Sequence, residues 1–145
     1  MSVLVLAEHN NIEIKAATFN TIFAASKIDS NIEVLLIGSG CEKLAKELSN
    51  CQYVQKVLIL DKPQFEHPIA ELYAPVIVSL SENYTHIIGP ATTFGKNIFP
   101  RVAVNLDISQ ISDVIKIIEG DTFVRPIYAG NALATVRSND SKKII

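Results

Sequence analysis

Hydrophobic residues along the chain fall into two rhythms, continuous aliphatic runs and helically spaced stretches, with polar turns between them. Val3-Leu4-Val5-Leu6-Ala7 is an unbroken run of the kind found in a strand covered on both faces. A polar turn follows over residues 8–15. Residues 16–27 have helical spacing, with Phe19, Ile22, Phe23 and Ala24 predicted as the inward face. Residues 32–37 form a second apolar run, closed by Gly38-Ser39-Gly40, and residues 41–48 predict a short helix with Leu44, Ala45 and Leu48 inward. Residues 56–60 are a third strand, ended by Asp61-Lys62-Pro63. A helix is predicted to start near His67-Pro68, since proline suits a first helical turn, and to run towards Leu80. Pro75 lies inside it and predicts a kink or a split. Residues 85–89 are a fourth strand. The helix after Thr92-Thr93 carries Ile98, Val102, Ala103 and Leu106, with a bend expected at Pro100.

Strand and helix alternate as far as Asp107, and each crossover is long enough for a right-handed βαβ unit. Beyond it, residues 112–118, 122–128 and 132–138 read as strands, joined by the hairpin signals Glu119-Gly120-Asp121 and Gly130-Asn131. The predicted architecture is a single α/β domain over residues 1–145. It has three layers, a mostly parallel sheet with helices on both faces, and a C-terminal antiparallel extension, as in nucleotide-α-hydrolase-like folds. Lys142-Lys143-Ile144-Ile145 reads either as a strand that would continue or as a frayed tail.

Composition narrows the functions without choosing one. A chain of 145 residues, 48% hydrophobic, buries a core without help from metals or disulfides. A formal charge of −2 gives no electrostatic footprint for nucleic acid or anionic membrane. Cys41 and Cys51 make no disulfide framework, and reduced thiols in a bacterial cytoplasm are the expectation. The first apolar run lacks a basic leader and is too short for a signal core or a membrane span, so neither secretion, a transit peptide nor insertion is expected.

The chemical motifs are incomplete. Gly38-Ser39-Gly40 sits between a strand and a helix, where a dinucleotide loop belongs, but Lys43 stands where the third glycine should be, and a tight structural turn is the reading. The segment from Gly89 to Asn97 approaches a Walker loop and fails it. The first glycine is one residue too far away, and Asn97 replaces the magnesium-binding hydroxyl. Either Thr92 or Thr93 caps a helix there, or Thr92, Thr93 and Lys96 present an anion site. Cys41 near a helix start reads as a structural thiol, and His9, His67 and His86 have no ligand spacing. No catalytic signature appears. Phe123-Val124-Arg125-Pro126-Ile127-Tyr128-Ala129-Gly130-Asn131-Ala132 is unusual for a hairpin. Proline inside a strand points to an edge or a bulge, and arginine and tyrosine are residue types favoured at protein interfaces.

Several of these segments together resemble the N-terminal domain of the electron transfer flavoprotein alpha subunit. The likeness begins at Val3-Leu4-Val5-Leu6-Ala7-Glu8-His9 and continues through Ala17-Thr18-Phe19-Asn20-Thr21 and Gly38-Ser39-Gly40-Cys41. It is strongest in Pro90-Ala91-Thr92-Thr93-Phe94-Gly95-Lys96-Asn97, followed by Pro100-Arg101-Val102-Ala103. It closes with Gln110-Ile111-Ser112-Asp113-Val114-Ile115 and the segment from Phe123 to Ala132.

The resemblance implies an alpha–beta heterodimer that carries one FAD. Such a complex takes electrons from acyl-CoA dehydrogenases, as in fatty acid beta-oxidation, and passes them to a membrane quinone oxidoreductase. It implies that this region is a scaffold without its own catalytic site, that it docks the beta subunit, and that FAD is held by a C-terminal domain absent from these 145 residues. No cofactor residue carries over and no metal is expected. The docking contacts expected on residue type are Arg125, Pro126, Tyr128 and Asn131. An alternative is a stand-alone adenine-nucleotide-binding module, with Thr92, Thr93 and Lys96 meeting the phosphate. A hydrolase built on Cys41 is a third reading.

Overall fold

The computed structural model describes residues 2–145. Five parallel strands form the central sheet in the order β3-β2-β1-β4-β8. They are β1 (Val3–Leu6), β2 (Ile32–Gly38), β3 (Val54–Asp61), β4 (His86–Ile88) and β8 (Lys143–Ile144). Four helices alternate with the first strands: α1 (Ala16–Ala25), α2 (Glu42–Ser49), α3 (Ala70–Leu80) and α4 (Thr93–Asn105). The aliphatic runs become the central strands because their alternate residues feed two separate cores. Val3, Val5, Val34 and Leu36 pack beneath α1 and α2 with Ile22, Leu44 and Leu48. Leu4, Leu6, Leu35 and Ile37 pack beneath α3 and α4 with Tyr73, Ile77, Ile98 and Phe99. The three-layer expectation therefore holds. Among the described residues, no helix is long and apolar enough to cross a membrane.

The antiparallel strands are present as expected, but they are not hydrogen-bonded to the parallel sheet. β5 (Lys116–Glu119), β6 (Thr122–Ile127) and β7 (Ala132–Arg137) form their own sheet in the order β5-β6-β7. Phe123, fully buried, plugs this small sheet into the α1/α2 core. The edge beside β4 is taken by β8, where Ile144 and Ile145 are buried, so this segment is a strand and not a frayed tail.

One local expectation needs correction. The inward face of α1 is Thr18, Thr21, Ile22 and Ala25, while Phe19 and Phe23 stay 37% and 53% exposed. The threonines can go inward because their hydroxyls are satisfied. Thr18 Oγ1 accepts from Glu8 N at 2.9 Å and donates to Glu8 O at 3.0 Å, and Thr21 Oγ1 donates to Ala17 O at 2.8 Å. Phe23 instead lies 6.3 Å from the Tyr53 ring, with the Lys27 amine 4.4 Å above it. Of the kink or split expected at Pro75, the split does not occur, and α4 likewise runs on through Pro100. Both lie on exposed positions, where the carbonyl each leaves without a helical partner can meet solvent.

Candidate functional site

The hairpin of β6 and β7 gathers the four residues expected at an interface. Its register pairs Val124 with Thr135, Arg125 with Ala134 and Pro126 with Leu133. Directly paired residues share a face, so Phe123, Arg125 and Ala134 point inward while Val124, Pro126 and Leu133 point outward. Pro126 is tolerated in a strand because β5 pairs with β6 no further than Val124, leaving only β7 as a neighbour beyond it.

The tip is held in an unusual backbone. Tyr128, Ala129 and Gly130 have φ of 51°, 53° and 87°. Two non-glycine residues in this region cost roughly 1–2 kcal/mol each, and such strain concentrates where a side chain must be presented. Asn131 N closes the turn on Tyr128 O at 3.0 Å. The result is a Tyr128 ring 79% exposed, with Leu133 64% exposed on the outer face. Arg125 is half-buried. Its Nη2 donates to Ser112 Oγ at 3.2 Å, and its Nε is enclosed without an acceptor.

A second region lies at the C-terminal ends of β1 and β4, where the strand order reverses direction and open α/β sheets hold their ligands. Thr92 caps α4, its Oγ1 accepting from Gly95 N at 3.5 Å and donating to Glu8 Oε2 at 2.7 Å. Lys96 Nζ is 2.9 Å from Asp113 Oδ1, and Thr93 is exposed. Two of the three groups expected at an anion site are thus engaged within the chain, each by a carboxylate. Carboxylates at that position oppose a phosphate. Beside them opens a cleft of about 760 Å³, bordered by Phe23 of α1, Lys27 in the turn after it, Gly89 and Pro90 after β4, and Ser112 and Ile115. Its lining is mainly apolar and takes in part of the Gly89-to-Asn97 segment.

The Gly38-Ser39-Gly40 turn is closed by the chain itself. The Asp61 carboxylate accepts from Gly40 N at 2.7 Å and from Cys41 N at 2.8 Å, and Asn11 Oδ1 accepts from Ser39 N at 3.0 Å. These are the amides an anion would use. Hydrogen bonds from Gly40 and then Cys41 hold the Asp61 carboxyl below its ordinary range. Burial, and then the Asp61 charge, push the Cys41 thiol up to about 11. A buried thiol of that kind is a poor nucleophile.

Two of the three histidines are held by neighbouring groups of the chain. His9 Nε2 donates to Ile37 O at 2.7 Å and its Nδ1 accepts from Asn11 N at 2.9 Å. His86 is buried, its Nε2 2.6 Å from Gly120 O. Burial lowers both pKa values below the ordinary histidine range. His67 is exposed. Among the described residues, no group of three His, Cys, Asp or Glu side chains could hold a metal ion.

Comparison with known proteins covers nearly the whole chain. A family model described as the electron transfer flavoprotein domain matches residues 3–145. The electron transfer flavoprotein subunit alpha of Pseudomonas aeruginosa is 47% identical over 145 residues, covering 100% of this chain and 47% of that protein. The mitochondrial alpha subunit of Dictyostelium discoideum is 47% identical over 149 residues, covering 97% of this chain and 42% of its own length. The mitochondrial alpha subunit of Arabidopsis thaliana is 45% identical, with 94% of this chain and 40% of that protein covered. The chain spans less than half the length of these curated relatives.

Proposed function

The chain belongs to the electron transfer flavoprotein family, and on that premise we propose that it is the docking scaffold through which an alpha subunit holds its beta subunit. In this reading it is the N-terminal domain of that subunit and an electron-carrier component without a catalytic site of its own. FAD is bound in the assembled heterodimer by a further domain, and the complex moves electrons from acyl-CoA-type dehydrogenases to a membrane quinone oxidoreductase. The chain works in a bacterial cytoplasm, without a nucleic-acid partner.

One observation carries the reading. The end of the β6–β7 hairpin displays Tyr128 and Leu133 to solvent from a backbone with positive φ at Tyr128 and Ala129, next to Pro126 and Asn131. Large apolar groups fixed in this way suit a protein partner. The relatives are themselves named as alpha subunits, which presupposes a second kind of subunit. Chemistry internal to the chain points away from a self-sufficient cofactor site, since Asp61 fills one glycine turn and Glu8 and Asp113 border the other.

The test is to mix the purified chain with the beta subunit of the same organism and measure mass by light scattering. A one-to-one complex is expected, colourless until the remaining flavin domain is supplied. A chain that stays apart from beta, or that takes up stoichiometric FAD alone, overturns the reading. The nucleotide-module alternative predicts thermal stabilisation by AMP or ATP, about 2.7 kcal/mol at one hundred times the dissociation constant.

A further inference from the structure

We propose that Arg125 is a receptor for a carboxylate of the docked subunit, held without a counter-ion in the free chain. The inference rests on the docking reading above and names the chemistry of the partner surface. Arg125 sits on the inner face of β6, where the hairpin runs past the core. Phe123, two residues earlier on the same face, is fully buried, while Arg125 and Ile127 are half-buried.

Among the described residues the guanidinium makes one hydrogen bond, from Nη2 to the neutral hydroxyl of Ser112, and its Nε is enclosed with no acceptor. No carboxylate among the described residues lies within ion-pair distance of it. Of the acids before it in sequence, Glu119 pairs across from Thr122, on the opposite face of the small sheet from Arg125, and the other two are committed elsewhere. Asp113, the neighbour of Ser112, is paired with Lys96 at 2.9 Å, and Asp121, beyond the start of β6, is paired with Arg137 at 2.7 Å.

A half-buried charge left in this state weakens the fold that contains it. Its planar fork of donors matches a carboxylate edge-on through two parallel hydrogen bonds, which a hydroxyl cannot supply. An acid delivered by the partner therefore completes an arrangement that this chain leaves open.

Arg125 then has opposite effects on the free chain and on the complex, and this separates docking from structure. Arg125→Met keeps the aliphatic stem and removes the charge. Its thermal midpoint is expected to rise by a few degrees, while its Kd for the purified beta subunit weakens by about thirtyfold or more. Arg125→Lys keeps the charge without the fork and falls between. An alanine scan of the beta subunit's Asp and Glu residues should find one position coupled to Arg125 by more than about tenfold in a double-mutant cycle. A lower midpoint for Arg125→Met assigns the residue to folding and overturns the proposal. Unchanged affinity, or coupling to no acidic position, overturns it while leaving the docking scaffold intact. Failure of the wild-type chain to bind beta overturns both.

Discussion

His86 Nε2 donates to the carbonyl of Gly120 at 2.6 Å, and this contact ties the parallel sheet to the turn between β5 and β6. The other ring nitrogen lies 2.8 Å from Thr85 Oγ1, whose hydroxyl is also 3.1 Å from Ser2 O. With the ring proton on Nε2, the one hydroxyl proton of Thr85 goes either to Nδ1 or to Ser2 O, and Ser2 O already accepts from Thr85 N at 3.0 Å. Burial outweighs the carbonyl's pull, and the folded pKa lies below the ordinary value of 6.5.

That shift, shared by His9, predicts acid sensitivity. A base with a lowered folded pKa leaves the unfolded chain binding more protons below pH 6.5. The stability is fully present above that pH and declines as the pH falls below it, until the folded ring protonates too. Thermal midpoints should be flat from pH 8 to 7 and fall between pH 6.5 and 5. His86→Gln should shallow the fall without abolishing it, because His9 remains. A midpoint that is flat down to pH 5 contradicts the assignment.

Thr92→Val removes both the α4 cap and the donor to Glu8. Urea unfolding should show a loss of about 1 kcal/mol, the usual worth of such a cap. Thr92→Ser, which keeps the hydroxyl, should lose little. Equal losses for the two variants would mean that the methyl group, and not the cap, is what matters.

The central strands were legible because each is an aliphatic run whose two faces both meet cores. Val3 to Ala7 could be little else. The face of α1 was not legible, because counting apolar residues favours Phe19 and Phe23 over Thr18 and Thr21. The hydroxyl partners that reverse the choice, Glu8 among them, are visible only after folding. Lys43 announced that the first glycine turn lacks a dinucleotide motif. That Asp61 would fill the turn could not be read across the intervening helix. The antiparallel strands were visible in their turns, but their detachment from the main sheet depends on β8 taking the edge beside β4. Of the candidate docking site, residue types alone located the hairpin. They did not show that Arg125 and Pro126 point to opposite faces, or that Leu133 joins the exposed surface.

The two thiols should differ sharply in reactivity. Cys41 is fully buried, with its pKa pushed up to about 11, whereas Cys51 is partly accessible and donates to Glu47 O at 3.5 Å. A disulfide reagent at pH 8 should label one thiol in the native chain and both after unfolding. Cys51→Ser should remove the native labelling. Fast labelling that persists in Cys51→Ser would show that Cys41 is reachable, reopening the nucleophile reading.

Tyr128 and Leu133 provide the sharpest separation of docking from folding. Both side chains are mostly exposed, so in the free chain they bury little apolar surface and contribute little to stability. Buried against a partner, a tyrosine at the centre of an interface commonly contributes more than 2 kcal/mol, about thirtyfold in affinity. Tyr128→Ser and Leu133→Ser should each leave the thermal midpoint within about a degree, since surface substitutions usually change stability by less than about 0.5 kcal/mol. Each should weaken the beta complex by tenfold or more, and the pair, adjoining at one hairpin end, should fall short of additivity. A substitution of Ile12, exposed in the turn between β1 and α1, serves as the control and should change neither quantity. If Tyr128→Ser and Leu133→Ser bind beta as the wild type does, the hairpin end is not the docking surface. If they lower the midpoint as much as they lower affinity, the hairpin acts on folding.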